Sequence, residues 1–472
     1  MARSIGRALS RIKADVRAFV TDEQIERAAH NAGHRWRERQ FGPAETVHLF
    51  VLQVLHFNTA IRHLRHLAGR AVNAAAYCEA RMRLPLEVLR SLLRQSAEGL
   101  GGGGGGDGSG RWCGLRVLLV DGSSSIAPDT PASRGAFGQP SNQKPGCGFP
   151  VPKILALFDA FSGMVLEALC LPLCSHEQSG VWRLHPMLCA GDLLVGDRGF
   201  CSYVHLAMLH ARGVAGLFRM HPRQIVDFRP RRRSRGQWKG KGKGKGKGKG
   251  KGKGKGMGKG KGKVPTSRFV RRLGKHDQLV AWARPGQRPA WMRQMAAWFD
   301  ALPEELTVRE LRYRLPAEPG RRTRVVTVVT TLLDPEKYPK QKVAELYGLR
   351  WSVETHFAEL KTTLRMRRVK SHTPEGVRKE LAVYCLVYNL VRGAMLRAAE
   401  RQGTTPDRVS FIDALRWLLS AAAPGRGVAA LVINPRREGR HEPRVVKDLQ
   451  DTYRKMTLPR AQLRRRLDLA KR

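Results

Sequence analysis

Acidic residues are scarce in this 472-residue chain: 39 Asp and Glu stand against 86 Lys and Arg, for a formal net charge of +47 at pH 7. Charge of that size and sign bears on solubility and on partners, and favours a polyanion, of which nucleic acid is the natural case. Long apolar runs are also missing. None reaches the roughly 18 residues that would suggest a membrane span. The basic start "MARSIGRALSRIKADVRAFV" has no apolar core of a secretory signal. The expectation is therefore no membrane and a cytoplasmic protein. The eight cysteines are scattered and include no Cys-x-x-Cys pair, which argues against a disulfide framework and leaves reduced thiols as the default. The run "CLPLCSH" (Cys170, Cys174, His176) comes nearest to a metal pattern, but its first half reads as a strand.

What is present divides along the chain. The length suits two to four domains. Residues 1–98 read as helical, with apolar residues at helical spacing in "AETVHLFVLQVLHFNTAIRHLRHLAG" and a stop at Gly69. Two helices around that glycine permit a helix-turn-helix as well as a plain bundle. Residues 99–110 are a Gly-rich linker. Residues 111–220 alternate apolar strands and short helices: "LRVLLVDGSS" ends as a strand at Asp121, "PKILALFDAFSG" and "MVLEALCLPL" pair through a turn at Ser162-Gly163, and "DLLVGDRGF" ends as a strand at Asp197. That order predicts a mixed α/β sheet with flanking helices. Residues 221–335 form a β-rich insertion holding a Lys-Gly tract at 239–263, which carries 12 lysines and no acid. Its composition predicts a disordered loop, either a neutral low-complexity expansion or an arm that grips phosphate without reading sequence, so its deletion should lower affinity for all DNA alike and spare any chemistry. Residues 336–400 return to long helices, and 401–472 form a basic C-terminal region.

The helix "YGLRWSVETHFAELK" carries the most informative spacing. On an unbroken α-helical wheel, with Tyr347 at zero, Arg350 lies at about −60°, Glu354 at about −20° and Lys361 at about −40°. One hydroxyl, two cations and a carboxylate would share a strip, beside an apolar stripe of Leu346, Val353, Phe357, Leu360 and Leu364 that docks on a core. A carboxylate flanked by cations suits a metal held next to a polyanion. Asp121 and Asp197 sit where strands end, a place from which side chains project into a crevice. Three carboxylates converging there would repel one another unless divalent cations lay between them. Mg²⁺ prefers such oxygen ligands, and two ions about 3.5–4 Å apart suit an in-line phosphoryl displacement.

Tyr347-x2-Arg350-x3-Glu354-x6-Lys361, with "VDGSS" at Asp121 and "GDRGF" at Asp197, resembles the DDE transposases of bacterial insertion sequences, in particular the insertion-sequence-four class with its Y-R-E-K signature. The resemblance covers roughly Leu115 to Arg397, with fainter echoes in "AYCEARMRLP" and "RREGRHEPR". It implies a ribonuclease-H-like core split by a β-rich insertion between the second Asp and the Glu, and 157 residues separate Asp197 from Glu354. It also implies that Asp121, Asp197 and Glu354 are catalytic and bind two Mg²⁺ ions, with Mn²⁺ as a substitute, and that Tyr347, Arg350 and Lys361 contact DNA phosphates. Trp282, Trp291 or Trp298 in the insertion would stack on a flipped base, against core packing as the competing role for each. The implied partners are double-stranded DNA, as terminal inverted repeats and as target, and a second copy of the chain in a homodimer, in a nucleoid-associated setting. Two other readings remain open: a metal-dependent nuclease with the same core, and a non-catalytic DNA-binding protein derived from a transposase. The second gains nothing from three carboxylates in a groove meant for a polyanion.

Overall fold

A computed structural model describes residues 20–37, 40–69, 71–101, 110–141, 144, 146–221, 224–229, 267–293, 295–315, 325–419, 431–434 and 458–470. The Lys-Gly tract, the first 19 residues and the "RREGRHEPR" echo lie outside them. The chain divides into two compact units, one of residues 1–188 and 349–472, the other of residues 189–348.

The first unit is built on an antiparallel meander. Strand β1 (Arg116–Ser124) pairs with β2 (Lys153–Asp159), and β2 pairs with β3 (Val165–Leu171). The turn between β2 and β3 falls where the sequence places it, with Gly163 at φ +70°, a conformation that costs glycine little. Asp159 caps this turn by accepting from the Phe161 and Ser162 amides. Strand β1 differs from expectation in length. It does not stop at Asp121 but runs on to Ser124, because β2 stays in register from Leu118↔Asp159 to Ser124↔Lys153.

A 28-residue helix, Pro374–Arg401, forms the core of this unit, with 20 of its residues buried. It is apolar and long enough to cross a membrane, but 89% of its most apolar window is buried inside the protein. Its polar residues tie neighbouring elements together. Asn389 exchanges hydrogen bonds with the Val165 backbone of β3, donating to the carbonyl at 2.9 Å and accepting from the amide at 2.8 Å. Glu380 accepts from Asn58, Lys370 N–H and Ser371.

The N-terminal helices are Asp22–Asn31, Pro43–Leu55, Leu64–Ala68, Ala74–Arg83 and Leu86–Gly101. The long apolar run of the sequence is thus interrupted after Leu55, where Phe57 and Asn58 take positive φ. Asn58 is buried and its amide reaches Glu380 at 2.6 Å, so a tertiary partner stabilises the break. Arg90 and Arg94 of the fifth helix grip Glu167 of β3, a carboxylate only 1% exposed.

In the second unit β4 (Asp192–Gly196) and β5 (Ala215–Arg219) are parallel and joined by a helix, Tyr203–His210. Strand β9 (Val325–Thr330) pairs antiparallel with both β5 and β8 (Glu305–Arg314). Strand β8 pairs with β7 (Asp277–Ala283), and β7 with β6 (Arg268–Gly274). The insertion therefore continues the hydrogen-bonding of β5. Only β6 escapes a sequence reading: its arginines hide any alternation, and residues Arg268 to Arg272 are exposed. An antiparallel meander followed along the chain by a parallel βαβ pair, flanked by helices, is the mixed α/β arrangement that the sequence predicts.

Candidate active site

The helix that carries the signature is not one α-helix. It runs as α-helix from Lys340 to Gly348, tightens to 3₁₀ over Leu349–Trp351, resumes as α-helix over Ser352–Ala358 and widens to a π-turn over Glu359–Thr363. Local chemistry accounts for the first irregularity. Gly348 is a weak helix former, and the Ser352 hydroxyl donates to the Leu349 carbonyl at 2.7 Å, a back-bond that bends helices. The π-turn is closed by the Leu364 amide on the Glu359 carbonyl at 2.9 Å. A 3₁₀ turn rotates about 120° per residue and a π-turn has i→i+5 bonds, so a single 100° wheel does not hold across these residues. The apolar stripe survives: Leu346, Val353, Phe357, Leu360 and Leu364 are all buried.

Within the first unit the β1–β2 register aims the carboxylate. Asp121 lies opposite Ala156, and Leu119 opposite Phe158. Directly opposed residues share a sheet face and residues two apart repeat it, so Asp121 and Phe158 point the same way. The Ser352–Ala358 helix docks on that face. His356 stacks on Phe158 with ring centroids 5.3 Å apart, and Phe357 meets the same ring edge-on at 5.4 Å. This docking brings Glu354 to Asp121, although 233 residues separate them.

Arg350 lies between the two. Its Nη1 is 3.6 Å from Asp121 Oδ2, and its Nη2 is 3.7 Å from Glu354 Oε1. Its guanidinium rests over the Trp351 ring at 4.5 Å. The Arg350 side chain is only 8% exposed, whereas Glu354 is 51% exposed and Asp121 22%. Both ion pairs are longer than a charge-assisted hydrogen bond of about 2.7–2.9 Å, and Arg350 Nε is buried without a partner among the described residues. Asp121 is further held by the Gly122 amide on its Oδ1 at 2.8 Å.

The other signature residues fall as follows. Lys361 sits in the π-turn, half-buried, and burial and the nearby Arg367 lower its pKa from the usual lysine value. Tyr347 is buried in the last turn of the α-helical stretch that ends the second unit. Asp197 also belongs to the second unit. It directly follows β4, half-buried, and begins a 3₁₀ turn over Arg198–Phe200. Among the described residues no three His, Cys, Asp or Glu side chains group as a metal cluster, Cys170, Cys174 and His176 included. What the first unit supplies is a pair of carboxylates around one cation. Oxygen donors of this kind suit a hard divalent ion, and the guanidinium between them is a stand-in for positive charge at that spot.

The insertion tryptophans separate by exposure. Trp282 is buried, with its indole N–H on Glu310 Oε1 at 3.3 Å, and is a core residue. Trp291 is half-buried, and Trp298 is 58% exposed.

Sequence reasoning missed His356. Its Nδ1 is 2.9 Å from the Tyr388 hydroxyl, Glu359 joins that pair at 3.3 Å from the hydroxyl, and burial lowers the imidazole pKa. Together they tie the Glu354 helix to the long core helix. Nothing in the local spacing marks His356, because its partners come from β2 and from a helix 32 residues away.

Comparison with known proteins gives the family. The family model described as the transposase DDE domain matches residues 112–390, a span that contains Asp121, Asp197 and the whole signature. The chain is 27% identical over 396 residues to the transposase InsG for insertion sequence element IS4 of Escherichia coli (strain K12), covering 80% of this chain and 77% of that protein. Among solved structures it is similar to the piggyBac transposase in a synaptic complex with hairpin DNA, with a TM-score of 0.37 and 10% identity over 86% of this chain and 79% of that one.

Proposed function

Because this chain belongs to the DDE transposase family, in its IS4-type branch, we propose that its transposase chemistry runs at Asp121, Asp197 and Glu354. The observation that carries this reading is the single guanidinium of Arg350 lying between Asp121 and Glu354. Two carboxylates from elements far apart in sequence, aimed at one point and sharing one cation, have little purpose in a protein that only binds DNA.

The family uses divalent metal ions. Here Asp121 and Glu354 would hold the ion, with Asp197 as the third carboxylate and Mg²⁺ as the ion, two copies serving the site. When bound, the metal supplies Lewis-acid stabilisation of the charge that builds on phosphate oxygens. The protein's own residues do the rest. The Gly122 amide holds one oxygen of the Asp121 carboxylate, and the other faces Arg350. Arg350 presents two parallel N–H groups, a geometry matched to a phosphate. Lys361 and Tyr347 add contacts to the same DNA strand, and Trp298 offers an exposed ring on which a base can stack. The water attack that frees a 3′-OH and the joining of that end to target DNA use the same carboxylates, with the terminal inverted repeats as bound DNA and two chains pairing two ends.

A metal-dependent nicking assay on the element's own ends tests the assignment. Asp121→Ala, Asp197→Ala and Glu354→Ala should each lose nicking in Mg²⁺ and in Mn²⁺ while retaining end binding in a mobility-shift assay. Nicking that persists in any one of them removes that residue from the site.

A further inference from the structure

Arg350 is held in an unusual way for a buried cation. It has five N–H donors, a side chain only 8% exposed, and an Nε that is buried with no hydrogen-bond partner among the described residues. Its two carboxylate neighbours sit at 3.6 and 3.7 Å, as counter-ions and not as hydrogen-bond acceptors. A buried guanidinium left in this condition has unused donors, and a better acceptor would draw it away. The carboxylate oxygens facing it, Asp121 Oδ2 and Glu354 Oε1, are the ones through which a metal would be held. A guanidinium and a dication repel each other and cannot both occupy the gap between the same two oxygens.

Resting on the proposed assignment of Asp121 and Glu354 as metal ligands, we infer that Arg350 is the resident counter-cation of the DNA-free site and exchanges it for a DNA phosphate when the metal enters. In the free protein it neutralises the carboxylate pair and competes with the metal. With DNA present, a backbone phosphate takes the guanidinium in a bidentate grip and the carboxylates are released to the ion. Metal and DNA then bind cooperatively through one side chain. Trp351, stacked at 4.5 Å and itself 41% exposed, supports the guanidinium plane on a face reachable from solvent. A site of this design loads metal poorly until DNA is in place, which limits stray cleavage by a strongly basic protein.

The test measures binding with Ca²⁺ and Mn²⁺ as probe ions on the full chain, with and without a duplex carrying the element's own end. In wild type, metal affinity should rise about tenfold when the duplex is added, and duplex affinity should rise by the same factor when metal is added, since coupling between two ligands is reciprocal. Without DNA, Arg350→Gln should bind metal about tenfold more tightly than wild type, Arg350→Lys should stay close to wild type, and in Arg350→Gln the coupling should fall towards unity. An Asp121→Ala/Glu354→Ala double variant is the control for the underlying assignment. If it keeps full metal affinity, the carboxylates are not the ligands. If it loses metal while Arg350→Gln binds metal no more tightly than wild type, the ligand assignment stands and the exchange is wrong. Should Arg350→Gln not fold, the wild-type measurement decides alone, because absence of reciprocal gain between metal and duplex overturns the inference.

Discussion

Each unit buries an arginine against acid, and the two arginines are treated in opposite ways. In the second unit Arg309 is fully buried and completely used. Its Nε and Nη2 grip Asp277 at 2.8 and 2.6 Å, and its Nη1 donates to the Tyr338 carbonyl at 2.7 Å. In the first unit Arg350 is nearly as buried but meets its two carboxylates only at 3.6 and 3.7 Å. A bidentate, fully bonded pair offsets the cost of burying charge and fixes one geometry. A loosely paired guanidinium does neither, and its donors stay available for a ligand. Arg309 belongs to the fold of the insertion; Arg350 is the one we propose for the chemistry.

The largest expected effect tests the first half of that contrast. Arg309→Ala strands the Asp277 carboxylate in a buried position and should destabilise the second unit by about 3–5 kcal/mol, read as a lower denaturant midpoint. Arg309→Met/Asp277→Leu, which removes both charges, should recover much of the loss. If Arg309→Ala shifts stability by less than about 1 kcal/mol, the pair is not structural and the contrast collapses.

A second effect, of similar order, is confined to acid. His205 is buried beside Phe218, with its Nδ1 at 2.8 Å from the Phe200 carbonyl, and burial pushes its pKa down from 6.5 to about 4. The folded state resists the proton that the unfolded state accepts. Its contribution is thus complete above pH 6.5 and is lost as pH falls from 6.5 towards 4, by roughly 3 kcal/mol in all. The pH dependence of unfolding in that window should shrink in His205→Gln. An unchanged profile would mean that another group carries the acid sensitivity of this unit.

The smallest expected effect on stability sharpens the other half. Arg350→Ala should change stability by no more than about 1 kcal/mol, because its ion pairs are long and Glu354 is solvent-facing. Its signature should appear in DNA binding instead, as a shallower log-log salt slope by about one unit for one lost phosphate contact. A wild-type slope together with a large loss of stability would place Arg350 in the same class as Arg309.

The candidate site was legible in part. Strand patterns at "VLLVDG" and "LLVGD" locate Asp121 and Asp197, and the spacing Tyr347, Arg350, Glu354, Lys361 marks the helix, because covalent spacing and apolar periodicity are properties of the chain alone. The same patterns find the turn at Gly163, the strands β2, β3, β5, β7, β8 and β9, and the buried stripe from Leu346 to Leu364. Misreadings fall where a distant partner overrides local preference. Strand β1 outruns Asp121 because β2 lies alongside it. The N-terminal apolar run breaks at Phe57 and Asn58 because Glu380 accepts the Asn58 amide. Trp282 and Trp298 look equivalent in the sequence, yet Glu310 holds the first in the core and leaves the second in solvent.

The sequence by itself pointed to a polyanion partner, through its charge, and singled out the candidate acidic and basic groups, through their spacing. It did not show that the signature helix would widen at Glu359, a residue whose side chain meets Tyr388 of the long core helix. Nor could it show that Arg350 is buried between Asp121 and Glu354. Side-chain distance across a docked helix and strand is set by packing, and packing joins residues that the chain keeps far apart. Whether an arginine is spent on the fold or held for a phosphate is therefore a property of the tertiary structure.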